Sequence, residues 1–133
     1  MFRAPKVLVI DDDPAVRRLF DRALSQDGYS AACAAGGREA LVLTRHTVFD
    51  LVVLDLSLCD MDGFRLLEEI RSGSPLARVL VTSGFTNSFL HDIVIDAGAH
   101  AALAKPISPR HLLQAVYRLI DPTCSWQSEG PVA

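Results

Sequence analysis

Hydrophobic and polar positions along this chain follow two periods. Val7–Ile10, Leu51–Leu54, Val79–Val81 and Ala101–Ala104 are short, unbroken apolar runs. Runs of this length and continuity predict strands buried on both faces of a parallel sheet. A weaker strand is expected from Tyr29 to Ala35, rich in alanine and poor in β-branched residues. Between the runs, apolar residues recur at helical spacing. Ala15, Val16, Leu19, Phe20, Ala23 and Leu24 form one stripe that stops at Gly28. Gly36-Gly37 precedes a short helix from Arg38 to about Arg45. Phe64, Leu67 and Ile70 mark a third helix, and Leu90, Ile93, Val94 and Ala97 a fourth that ends at Gly98. Leu112, Leu113, Val116, Leu119 and Ile120 mark the last. Asp13-Pro14 and Ser108-Pro109 each pair an N-cap with a proline suited to the first helical position. Five βα units predict a single α/β domain, a doubly wound parallel sheet with right-handed crossovers.

The polar residues at the strand ends carry the chemistry. Asp11 and Asp12 follow the first run, and Asp55 follows Leu51–Leu54. In open α/β sheets ligands bind beyond the carboxyl ends of the strands. Neighbouring strands would bring three carboxylates together there, and like charges so placed need a cation. Oxygen-only ligands point to a hard divalent ion, Mg²⁺. Thr82-Ser83-Gly84 adds hydroxyls at another strand end, and Lys105-Pro106 adds a fixed positive charge. Carboxylates, metal, hydroxyl and ammonium around one carboxylate nucleophile describe a site for an anionic phosphoryl group.

Composition narrows the alternatives. The chain has 133 residues, half of them apolar, which suits one core. The net charge of −3 is spread without a basic stripe, so direct nucleic-acid binding is not expected. No apolar run approaches the ~20 residues of a membrane span and no signal peptide is read, so a cytoplasmic location without membrane association is expected. Cys33, Cys59 and Cys124 have no metal-like spacing and read as reduced thiols. His46, His91, His100 and His111 sit singly and read as solvated or satisfied rather than as phosphate carriers. Residues 1–120 are expected to form the domain, with 121–133 a short flexible tail and no output domain after it.

Asp11-Asp12, Asp55, Asp62-Gly63, Ser83-Gly84 and Lys105-Pro106, in this order and each after a strand, resemble the receiver domains of two-component response regulators. The resemblance spans about residues 6–120. It implies a flavodoxin-like strand order 2-1-3-4-5, which sets the strands ending at Asp11 and Asp55 side by side. It implies that Asp55 accepts a phosphoryl group from a histidine kinase or a histidine phosphotransfer protein. Asp12, Asp55 and the backbone carbonyl of Ser57 would hold Mg²⁺, with Asp11 acting through water. Ser83, favoured over Thr82, which would end its strand, would bind the phosphoryl group beside Lys105. Gly84 would leave room for that group to enter, and the Lys105–Pro106 bond is often cis in the family.

Some positions depart from the family pattern. Cys59 stands where proline is usual, and Ala102 stands where an aromatic switch residue is common, so no ring is present to turn inward. Phe85, near the mouth, is read as a screen against water or as a partner contact. The implied output is a change of contacts near Ser88–Ala97, the strand before Lys105 and the last helix, directed at a downstream protein or at the rest of a longer chain. A phosphorylation-dependent dimer is compatible with apolar residues on the last helices, although a core face explains most of them. The domain would assist its own phosphorylation without being an enzyme in the usual sense. Two rivals stand beside this reading. One is a phosphorylation-independent receiver-like scaffold. The other is an aspartyl-phosphate phosphohydrolase, disfavoured because Ser57 occupies the place of its second aspartate.

Overall fold

The computed structural model describes residues 3–84 and 88–120. Phe85, Cys124 and the 121–133 segment, all singled out above, lie outside the described residues. Strands and helices alternate: β1 (Lys6–Ile10), α1 (Pro14–Gln26), β2 (Ser30–Ala34), α2 (Gly37–His46), β3 (Leu51–Asp55), α3 (Gly63–Gly73), β4 (Arg78–Ser83), α4 (Ser88–Asp96), β5 (Ala101–Ala104) and α5 (Pro109–Ile120). All the strand pairs are parallel, in the order β2-β1-β3-β4-β5, as expected.

The burial of the central strands explains their unbroken apolar runs. Pleating sends alternate side chains to opposite faces. Leu8, Ile10, Val52, Leu54, Val79 and Val81 pack in one cluster with Ala40, Leu66, Leu67, Ile70 and Val94, which come from α2, α3 and α4. Val7, Val9, Leu51, Val53 and Leu80 pack in the other with Phe20, Leu24, Leu112 and Val116 of α1 and α5. Each fully buried side chain of this size contributes about 1.5–3 kcal/mol. The edge strands β2 and β5 are half-covered, so alanine suffices there and pairing with β1 and β4 holds them in place.

Several boundaries differ from expectation. Leu19 is 45 % exposed and Ala15 is also exposed. The buried arc of α1 is narrower than its apolar stripe and centres on Val16, Phe20, Ala23 and Leu24. In α3, Leu66 joins the buried set while Phe64 is only half-buried. Helix α2 extends one residue further at each end. Ser83, not Thr82, is the last residue of β4, because its backbone still pairs with Ala104. His100 is satisfied, as read: its Nδ1 accepts the Val79 N–H at 3.0 Å. Burial, and then the charges of Arg71 and Arg78, push its pKa below the ordinary value.

Candidate functional site

The register of the sheet builds the pocket. Ile10 is level with Leu54, so Asp11 and Asp55 both stand at the carboxyl edge of adjacent strands. There the chain turns into α1, with the Asp13 carboxylate accepting the Ala15 N–H at 2.9 Å and Pro14 opening the helix. That cap leaves Asp11 and Asp12 facing the space above the sheet edge. Asp11, Asp12 and Asp55 each offer a carboxylate oxygen, all within 4.8 Å of one another. Asp11 is 2 % exposed and Asp55 3 %, whereas Asp12 is half-buried.

Four hydrogen bonds hold the buried carboxylates. The Lys105 Nζ donates to Asp11 Oδ2 at 2.7 Å and to Asp55 Oδ2 at 3.1 Å. Asp55 Oδ1 accepts the Ser57 N–H at 3.0 Å, and Asp11 Oδ1 accepts the Asp13 N–H at 2.9 Å. Partial burial pushes the Lys105 pKa down. Its hydrogen bonds to Asp11 and Asp55 and their charges outweigh that, so the net direction is up. The lysine therefore stays an ammonium. Three carboxylates against one ammonium leave two negative charges in excess. Its oxygen-only carboxylate donors and that excess negative charge suit a hard cation.

The remaining predicted residues fall around this centre. Thr82 pairs with Asp55 in the sheet register and is buried. Ser83, also buried, ends β4, and its carbonyl accepts the Lys105 N–H at 2.7 Å, so these two residues are tied through the backbone. Pleating sends the Thr82 and Ser83 side chains to opposite faces. Gly84 is exposed, and a Cβ there would meet nothing within 4 Å. The Lys105–Pro106 peptide is cis. Ala102 is level with Val81, one residue below Asp55, and is half-buried against the cluster under α2–α4.

The loop between Asp55 and α3 holds what sequence reasoning missed. The Cys59 Sγ lies 2.9 Å from Asp12 Oδ2 and donates to it. That hydrogen bond and the Asp12 charge push the exposed thiol's pKa up, so it stays protonated. Asp60 accepts the Gly37 N–H at 2.9 Å and the Arg38 N–H at 3.1 Å. It thereby caps α2, whose own N-cap, Gly36, has no side chain to do so. These bonds from Gly37 and Arg38 lower the Asp60 pKa. A Cβ on Gly36 would lie 2.7 Å from Asp60 Oδ2, and one on Gly63 would lie 2.7 Å from the Leu56 Cα. Gly36 is where the two loops close on each other, and Gly63 is where the second loop closes on its own start. The Gly36-Gly37 pair was a visible signal of this close approach, but its partner lies more than twenty residues away.

The sequence profile described as the response regulator receiver domain matches residues 7–117. The transcriptional regulatory protein AruR of Pseudomonas aeruginosa is 32% identical over 125 residues, covering 90% of this chain and 51% of that protein. A probable transcriptional regulator of Porphyridium aerugineum, ycf27, is 34% identical over 125 residues, with coverage of 90% and 51%. The chain thus spans about half the length of these curated relatives. Among solved structures, the chemotaxis response regulator CheY4 of Vibrio cholerae superposes with a TM-score of 0.83 at 29% identity, over 88% of this chain and 99% of that one. A CheY-like receiver domain protein of Methanospirillum hungatei gives 0.85 at 29% identity, over 96% and 100%. No helix among the described residues is long and apolar enough to cross a membrane. With the profile spanning most of the sequence and the fold matching over nearly all of the solved receivers, the chain belongs to the response regulator receiver domains, the phosphorylation-dependent signalling domains of two-component systems.

Proposed function

We propose that Asp55 is the phosphoacceptor, taking a phosphoryl group from the phosphohistidine of a histidine kinase or a histidine phosphotransfer protein. The observation that carries this reading is the Lys105 ammonium bridging the two buried carboxylates Asp11 and Asp55. Asp55 needs no general base, since a carboxylate nucleophile has no proton to give up on attack. The Ser57 N–H and Lys105 hold its two oxygens in a fixed orientation for attack on phosphorus. As the P–N bond to histidine breaks and the P–O bond to Asp55 forms, Lys105 moves its hydrogen bond from the carboxylate to a phosphoryl oxygen. The Ser83 hydroxyl binds another, and the open space at Gly84 admits the group.

Asp12, Asp55 and the Ser57 carbonyl would hold Mg²⁺, and Asp11 would support it through water. When bound, the ion supplies positive charge against the phosphoryl oxygens. Residues 1–120 constitute the receiver. The output is a shift in the surface formed by α4, β5 and α5, set off at Ser83 and transmitted without an aromatic at Ala102. It is read by a downstream protein or by another part of a longer chain, in the cytoplasm.

Intact mass after incubation with acetyl phosphate and Mg²⁺ tests the assignment. One adduct is expected, absent with EDTA and absent in Asp55→Asn. An adduct that survives Asp55→Asn refutes Asp55 as acceptor.

A further inference from the structure

The loop from Asp55 to Gly63 carries two groups that serve the acceptor: the Ser57 N–H, which donates to Asp55 Oδ1, and the Ser57 carbonyl assigned above to Mg²⁺. No proline lies in this loop, so its backbone angles are not fixed by ring geometry. Its restraints come from other elements. At one end the Leu56 N–H donates to the Thr82 carbonyl at 3.1 Å, continuing the ladder between β3 and β4. At the other end the loop docks on the first turn of α2 in two ways. Asp60 Oδ1 accepts the Gly37 N–H at 2.9 Å and Asp60 Oδ2 the Arg38 N–H at 3.1 Å. Met61 lies so close to Gly37 that a Cβ there would run into its sulfur. Only Ser57, Leu58 and Cys59 stand between the Leu56 and Asp60 anchors, and of their side chains Cys59 adds one bond, to Asp12.

We infer that Asp60 is a positioning residue for phosphoryl acceptance. Its carboxylate, clamped on the N-terminus of α2, holds the loop so that the Ser57 N–H stays on Asp55 and the Ser57 carbonyl is kept in one place for Mg²⁺. This role rests on the assignment of Asp55 as acceptor and of that carbonyl to the metal. A helix N-terminus offers unpaired N–H groups and partial positive charge, which suit a carboxylate with both oxygens engaged. Gly36, the N-cap, has no side chain to compete for those groups. A Cβ on it would lie 2.7 Å from Asp60 Oδ2, so the glycine keeps open the space into which Asp60 reaches. Asp60 stands outside the Asp11, Asp12 and Asp55 group, and its effect on the site passes through the loop backbone.

Two variants of the full chain separate this role from simple helix capping. Asp60→Ala removes the clamp, and because Asp60 is exposed it leaves the core untouched. Adding Gly36→Ser gives α2 a cap of its own, in the space that Asp60 vacates and at an extended backbone position that any residue adopts. Glu39, three residues on, completes a capping box. Urea unfolding in EDTA reads the cap, hydrogen exchange of the Ser57 amide in EDTA reads the loop, and calorimetry reads Mg²⁺ affinity. Asp60→Ala is expected to lose stability and Ser57 protection, and to bind Mg²⁺ about tenfold more weakly, the low end for outer-shell partners of a metal site. The double variant is expected to regain the stability but neither the Ser57 protection nor the Mg²⁺ affinity. Unchanged Mg²⁺ affinity in Asp60→Ala, or its return in the double variant, overturns the positioning role and leaves Asp60 a helix cap beside an intact pocket. Absence of Mg²⁺ binding by the unaltered chain overturns the metal assignment and this inference with it.

Discussion

Replacing Lys105 with methionine keeps the aliphatic stem and removes the charge that Asp11 and Asp55 share. At an effective dielectric constant of ~20, a unit pair at 2.7 Å is worth about 6 kcal/mol and one at 3.1 Å about 5 kcal/mol. Much of this is offset, because the wild-type ammonium is desolvated to the point that only 25 % of its side chain is exposed. Removing one partner of a buried pair costs about 3–5 kcal/mol. That partial exposure sets the expectation near the lower end, about 3 kcal/mol. The excess charge of the pocket rises from two to three, so Mg²⁺ should stabilise Lys105→Met more than the wild type. Urea unfolding in EDTA, followed by circular dichroism, gives the first quantity, and the same experiment in saturating Mg²⁺ gives the second. The loss should be constant through neutral pH. Lys105 has a raised folded pKa, so its contribution is full below the unfolded value of about 10.4 and disappears as pH rises through the folded value. An unchanged or higher midpoint for Lys105→Met in EDTA, with the slope unaltered, would show that the ammonium does not hold the carboxylates together.

Asp60→Ala removes the only side chain seen to cap α2 among the described residues and should cost about 1 kcal/mol in urea unfolding; a loss below ~0.3 kcal/mol would refute the cap. Gly63→Ala forces a Cβ against the Leu56 backbone, with an expected cost of about 1–3 kcal/mol and slower phosphorylation by acetyl phosphate, and wild-type behaviour in both would contradict the close approach. His100 must be neutral to accept the Val79 N–H, and its folded pKa lies below the ordinary value. Its contribution is therefore complete above about pH 6.5 and lost as pH falls through the folded value. His100→Asn, an acceptor that does not titrate, should show a smaller drop in Tm between neutral and acid pH; equal drops would rule out His100 as a source of acid sensitivity.

What could be read from the chain divides along physical lines. Val7–Ile10 and Leu51–Leu54 announced buried strands because the central strands are covered on both faces, and no polar residue can stand there without a partner. Asp11, Asp12, Asp55 and Lys105 were legible for the opposite reason: polar groups ending such runs must leave the core at the sheet's carboxyl edge. Leu19 misled, since an apolar side chain at a helix margin tolerates solvent at little cost. The Ser83 boundary was off by one residue because strand length depends on the partner strand, here Ala104, and not on local preference.

The order of hydrophobic runs, helix stripes and strand-end carboxylates determined an alternating α/β domain with an acidic pocket, because burial and periodicity are local properties of the chain. Only the tertiary structure decided that Lys105 bonds Asp11 more closely than Asp55, that Cys59 touches Asp12, and that Asp60 caps a helix begun more than twenty residues earlier. Each of these joins residues far apart in sequence. Their distances are set by how the four parallel crossovers bring loop ends together at one edge of the sheet, and no local pattern encodes that.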